Sequence, residues 1–273
     1  MTIKWSYLIC LAISIVIFFY IFYPKIENFF LFFPQTSFDL TPEDLGIDYK
    51  DVHLKTEDGE NLHGWFFPLD KNSPLVLFFH GNAGNISHRL DNVRLILDKK
   101  IQVFIFDYRG YGKSSGKPSE NGLYKDGLAA WDYLVHKEKI LPDNIVLFGR
   151  SLGAAAAIDV ALKRQVRSII IESGFTSIKD MAKTIFLFSL LSFSLPGHYN
   201  NLEKISLIKI PKLIIHGVND ELVPFFMGEK LFNSSKEPKY FFPIKRAGHN
   251  DTYVVGGIRY FQILEAFIMN SKI

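Results

Sequence analysis

The chain reads as an α/β protein, a mostly parallel sheet flanked by helices, preceded by one apolar segment long enough to cross a membrane. Three observations lead there. Short apolar runs recur along the chain, helical stretches fall between them, and the runs are apolar throughout rather than alternating. A strand covered on both faces is apolar at every position, whereas a half-exposed strand alternates. Helices between such strands are what the crossovers of a parallel sheet require. Of 273 residues, 48% are hydrophobic and 22% charged, enough apolar material for a substantial core and too little charge for a disordered chain. The 31 Lys and Arg against 28 Asp and Glu leave +3, too small and too mixed along the chain to point to nucleic acid. A single cysteine, Cys10, excludes a disulfide framework and any zinc site built on thiolates.

The first element is membranous. Residues 5–24 contain no charged side chain, a run of 20 positions. As a helix it would extend roughly 30 Å, the thickness of a bilayer's hydrocarbon core. Trp5, Tyr7, Tyr20 and Tyr23 sit near its ends, where amphipathic rings favour the headgroup level. No small-x-small pair precedes Pro24 to mark a cleavage site, and Ile9 is too bulky for processing at Cys10. The run therefore reads as an uncleaved signal anchor. Lys4 on one side, against Lys25 offset by Glu27 on the other, places the bulk of the chain on the non-cytoplasmic side. The apolar stretch 29–34 reads as interfacial, so that 1–38 is anchor and interfacial segment and 39–273 a second, folded domain.

Within that domain, runs at 50–55 and 62–67 flank Glu57-Asp58-Gly59 and predict an antiparallel hairpin. Buried strands follow at 75–79, 103–106, 145–148, 168–171, 213–215 and 240–242. Helices are predicted at 86–98, where Leu90, Val93 and Leu97 share a face, at 122–137, and at 152–164, which opens with an alanine run.

The chemistry falls at strand ends. Gly149-Arg150-Ser151-Leu152-Gly153 follows a buried strand and opens a helix. That context suits a nucleophile on a tight turn, where small neighbours let strand and helix approach closely. A serine hydroxyl needs a base to remove its proton, and the base needs an orienting acid. Asp220, in His216-Gly217-Val218-Asn219-Asp220, lies just past one strand; His249, in Ala247-Gly248-His249-Asn250-Asp251, lies just past the last. Their order after the serine fits. Glu172, at the end of another strand, is the alternative acid, and Glu221 adjoins Asp220 but would point elsewhere. His216 reads as a hydrogen-bonded structural histidine. His53, His63, His88, His136 and His198 show no metal-ligand spacing with a carboxylate, so no metal is expected. An oxyanion would be met by the Leu152 N–H at a helix N-terminus and by the Asn82 N–H, or else that of Ala83, in the loop His80-Gly81-Asn82-Ala83-Gly84-Asn85.

Taken together in one order, HGNAGN, the run 107–114 (DYRGYGKS), GRSLG, HGVND and GHND resemble the membrane-anchored serine hydrolases of the α/β-hydrolase superfamily, the bud-emergence-protein-like group. The likeness covers about residues 27–269. It implies an eight-stranded α/β-hydrolase fold whose first strand pair is antiparallel, no cofactor, Ser151 as nucleophile, His249 as base, Asp220 as acid, and Leu152 with Asn82 as oxyanion hole. The 107–114 loop resembles a structural element of that family. Gly174 departs from the family's pattern where a proline or another residue is expected, at the lid hinge. The implied lid spans about 175–210, and no charge occurs from Thr184 to Leu195 within it, which suits equally a buried helix or a lid over an apolar acyl substrate. The expected function is a membrane-anchored serine hydrolase cleaving an ester or thioester of a lipid or an acylated protein. The alternatives are a serine peptidase of the same fold and a catalytically silent membrane-bound interaction protein. Oligomeric state is left open.

Overall fold

A computed structural model of the chain describes residues 28–70, 73–184 and 198–272, with positions 7, 10, 11, 13, 14 and 25 before them. It divides into two compact units, Met1–Phe33 and Pro34–Ile273. In the first, the described positions are helical as far as Leu31. The anchor expected over 5–24 lies outside the described residues except at five of those positions. Among the described residues no helix is long and apolar enough to cross a membrane.

In the second unit, eight strands among the described residues form one sheet. In chain order they are β1 (Lys50–Lys55), β2 (Asn61–Phe67), β3 (Leu75–Phe79), β4 (Gln102–Phe106), β5 (Ile145–Arg150), β6 (Ser168–Glu172), β7 (Lys212–Gly217) and β8 (Lys239–Ile244). Their spatial order is β8-β7-β6-β5-β3-β4-β2-β1. β2 runs antiparallel to both neighbours, β1 and β4. The remaining pairs are parallel. Each run predicted as a strand is one, and β3, β4, β5, β6 and β7 are buried at every position, as strands covered on both faces should be. At the sheet's centre Phe78 and Phe148 stack with ring centroids 4.8 Å apart, which accounts for part of the phenylalanine excess.

Helices cover the sheet: α1 (Leu90–Leu97), α2 (Glu120–His136), α3 (Leu152–Lys163), α4 (Ile178–Thr184), α5 (Asn201–Leu207), α6 (Phe225–Ser234) and α7 (Thr252–Asn270). The helix predicted at 86–98 begins instead as a 3-10 turn, Ile86–Arg89, because the Asn85 side chain accepts from the Ser87 N–H and tightens the entry. Sequence periodicity did not single out α6 and α7. Gly228 interrupts the first, where a side chain would meet the His216 ring at 2.5 Å, and Gly256-Gly257 interrupts the second. Gly257 has φ 52°, ψ −140°, a kink between two helical pieces. The ends of the expected lid are α4 and α5; its apolar middle, 185–197, lies outside the described residues. Gly174, at the expected hinge, packs so closely on Ile171 that a Cβ would stand 2.6 Å from its side chain.

The 107–114 loop is a buried brace. Arg109 donates to Asp126 from Nε (2.9 Å) and Nη2 (2.8 Å), and to Asp58 from Nη1 (3.0 Å) and Nη2 (3.1 Å). It thereby ties the β1–β2 turn to α2. Hydrogen bonds from the Arg109 guanidinium hold the Asp58 carboxyl well below the usual carboxylate range.

Candidate active site

The site is assembled at the ends of β5, β7 and β8. Ser151 follows β5 directly and adopts φ 52°, ψ −117°, a conformation L-residues avoid. Its N–H donates to the Glu172 carbonyl at 2.8 Å, and its own carbonyl accepts from the Ala154 N–H at 3.0 Å. The flanking glycines make this turn possible: a Cβ at Gly153 would lie 2.1 Å from the Phe79 carbonyl, and one at Gly149 would lie 2.6 Å from Ala154. The hydroxyl is thus presented at the N-terminus of α3.

Asp220 comes from the turn after β7, where the Asn219 N–H donates to the Ala247 carbonyl at 2.9 Å. That bond joins the turn to the loop carrying His249. His249 Nδ1 lies 2.8 Å from Asp220 Oδ2, and His249 Nε2 lies 3.0 Å from Ser151 Oγ. With Nδ1–H donating to the carboxylate, Nε2 faces the hydroxyl as an acceptor. The other Asp220 oxygen accepts from the Leu222 (3.0 Å) and Val223 (2.8 Å) N–H groups. Burial pushes the Asp220 carboxyl up, but hydrogen bonds from His216 and His249, the positive charge available on His249 and the Val223 N–H outweigh it and hold the group well below the usual carboxylate range. Such an arrangement can remove a proton from the hydroxyl and stabilise the imidazolium that results.

The alternative acid is engaged elsewhere. Glu172 is fully buried, pairs with Arg150 Nε at 3.2 Å, and accepts from the Thr252 (2.9 Å) and Tyr260 hydroxyls. Glu221 is exposed and its carboxylate faces Gly248. His216 Nε2 donates to the Val223 carbonyl at 2.9 Å and lies 3.4 Å from Asp220 Oδ2, so this structural histidine also supports the acid.

The loop 80–85 lies beside the serine: a Cβ on Gly81 would stand 3.7 Å from Ser151 Cβ. Among the described residues neither the Asn82 nor the Leu152 N–H has a backbone acceptor, which leaves both donors available. The 107–114 loop holds this segment from behind, through Tyr108 O–H to the His80 carbonyl (3.0 Å) and Tyr111 O–H to the Asn82 carbonyl (2.7 Å). Asn85 braces it from the other side, donating to the Gln35 (3.0 Å) and Ser37 (2.6 Å) carbonyls. Sequence reasoning missed these supports, and Arg150 with them. Arg150 lies inside the serine motif, pairs with Glu172 and donates to the His249 carbonyl at 3.3 Å. The only signal for it was its place next to the serine.

A family model for the alpha/beta hydrolase fold matches residues 74–202. The chain is 37% identical to the alpha/beta hydrolase domain-containing protein WAV2 of Arabidopsis thaliana, over 86% of this chain and 85% of that one. It is 35% identical to protein bem46 of Schizosaccharomyces pombe, over 99% of this chain and 94% of that one. Among solved structures, the esterase Pf2001 of Pyrococcus furiosus superimposes with a TM-score of 0.71 at 22% identity, covering 87% of this chain and 98% of the esterase. In sequence and in architecture, this chain belongs to the α/β-hydrolase family.

Proposed function

We propose that this chain is a membrane-anchored serine hydrolase cleaving an ester or thioester of an apolar acyl substrate, a lipid or an acylated protein. The observation that carries the reading is the hydrogen-bonded series from Asp220 through His249 to Ser151, ending on a serine in strained backbone. Ser151 Oγ attacks the acyl carbon while His249 Nε2 takes the hydroxyl proton. The bond to the leaving alcohol or thiol breaks, and His249 returns the proton to that group. Water then attacks the acyl-enzyme with His249 again as base, the acid departs, and the Ser151 hydroxyl is restored. Asp220 holds the imidazole tautomer and balances its charge. The Leu152 and Asn82 N–H groups receive the oxyanion. Every proton in this cycle is carried by His249, so the cycle needs no cofactor.

The apolar substrate class is supported by the surface of the turn that carries Asp220 and of α7, which follows the His249 loop. Leu222, Val254, Val255 and Ile258 are all exposed there, Ile258 at 80%. The uncharged run 5–24 supports the anchor, and the flanking charges support a catalytic domain on the non-cytoplasmic side. Release of the full-length protein by alkaline carbonate washing would refute the anchor, and protection of the domain from added protease would test its side.

The decisive test is fluorophosphonate labelling of full-length protein in membranes beside Ser151→Ala and His249→Ala. Labelling of wild type that disappears in both variants is the expected result. A folded wild type that takes no label overturns the enzyme in favour of an interaction protein. Turnover of aminoacyl amides in preference to esters would keep the triad and replace the substrate class.

A further inference from the structure

The β1–β2 hairpin, at the edge of the sheet with two strands between it and β5, carries a second cluster of reactive side chains. We propose that Asp51, His53 and His63 bind a divalent transition-metal ion of zinc's class. Asp51 and His53 are two residues apart on β1, so their side chains share a face. The antiparallel register sets His63 of β2 directly opposite His53, close enough for the two side chains to meet. His63 Nε2 lies 2.6 Å from Asp51 Oδ1, and His53 Nε2 lies 3.4 Å from Asp51 Oδ2. One ligand atom from each residue falls within 4.8 Å of the others, the one such group of three among the described residues. Bonds of roughly 2.0–2.2 Å to a single ion put ligand atoms at most about 4 Å apart, so small side-chain rotations suffice.

The site is held on one side and open on the other. The His63 side chain is fully buried, its ring packed against Phe38 (5.4 Å between centroids) and Trp65 (6.0 Å). The His53 and Asp51 side chains are 67% and 44% exposed, leaving a coordination position to water. Burial lowers the affinity of His63 for a proton and favours the neutral imidazole that ligates metals. At Asp51 burial acts upward, but the hydrogen bond and charge of His63, with Lys113 and His53, hold the carboxyl below its usual range. Lys113 is the cation that opposes an incoming ion. Two imidazole nitrogens and one carboxylate oxygen select zinc, cobalt, nickel or copper over magnesium or calcium, which prefer oxygen throughout. Because its ligands come from two strands, the ion would clip β1 to β2 and stabilise the folded chain by mass action.

The test uses the full-length chain in detergent. Zinc chloride is titrated by calorimetry, cobalt(II) is added with its visible d–d absorption as a second readout, and unfolding temperature is followed with and without zinc. His53→Ala and Asp51→Asn are compared with wild type, since both side chains are largely exposed and their replacement spares the core. We expect one zinc per chain, a rise in unfolding temperature, and binding weakened at least about 10–100-fold in either variant, the loss typical even of outer-shell partners. The cobalt spectrum should vanish with it. Failure of wild type to bind zinc at micromolar concentration, or equal binding by both variants, overturns the site.

Discussion

Asp220 and Asp107 both follow the C-terminal end of a strand, and both side chains are fully buried, yet their surroundings shift the two carboxyls in opposite directions. Asp220 receives two backbone N–H groups, His249 Nδ1 and the edge of His216, and remains a carboxylate. Asp107 receives one N–H, that of Ile86 at 3.0 Å, and its second oxygen has no partner among the described residues. Burial therefore prevails and pushes its carboxyl up to about 8. The neighbouring His80, 3.8 Å away, is pushed down to about 3, by burial first and then by Arg89. Under the 80–85 loop burial disfavours charge on both partners, whereas beside Ser151 the converging donors favour the Asp220 carboxylate. Burial alone does not decide ionisation; the number of donors converging on the group does.

The comparison can be broken most severely at Asp220. Asp220→Asn should keep the fold and lower kcat about 10⁴-fold, because the imidazole loses its tautomer and its counter-charge. Steady-state ester hydrolysis would measure it, and a loss of less than about tenfold would remove Asp220 from the triad.

Asp107→Asn sharpens the other side. In the unfolded chain this carboxyl titrates near 4, while in the fold it holds its proton to about 8. Its contribution is therefore fully present below pH of about 4 and is lost as pH rises through about 8, because the unfolded chain alone releases the proton in between. Asparagine keeps the acceptor for Ile86 and cannot titrate. Urea unfolding at pH 5 and pH 9 should show the variant gaining on wild type as pH rises. His80 acts with the opposite sign below its ordinary range, and the difference between the two proteins cancels it. An unchanged difference would mean that Asp107 is ionised in the fold.

The smallest effect is expected at Tyr111→Phe, which removes the hydroxyl bonded to the Asn82 carbonyl. One hydrogen bond of this kind is worth about 0.5–1.5 kcal/mol. Turnover should fall a few-fold, up to about tenfold, with KM nearly unchanged. A change in KM alone would place the Asn82 segment in substrate binding rather than oxyanion support.

Much of this molecule is legible residue by residue. The central strands β3 to β7 announce themselves because both faces of the parallel sheet are covered there, so each is buried at every position; all eight strands begin and end within two residues of the runs that predict them. α7 escaped because Gly256-Gly257 breaks its period, although Tyr260, Leu264, Phe267 and Ile268 do bury one helical face. Ser151, Asp220 and His249 could be picked out because each stands just past a strand end. The candidate metal cluster could not, since linear spacing among histidines says nothing about a partner on the facing strand. His53 and His63 become neighbours only through register.

The sequence by itself therefore determined the layers of the fold and the short set of residues from which a site could be built, because burial and turn chemistry are local properties of the chain. Only the tertiary structure decided which carboxylate meets His249, why Glu172 is spent on Arg150, Thr252 and Tyr260, and which buried aspartate keeps its charge. Those outcomes depend on the direction and number of hydrogen bonds converging from segments far apart in the chain, and such convergence exists only once the chain has folded.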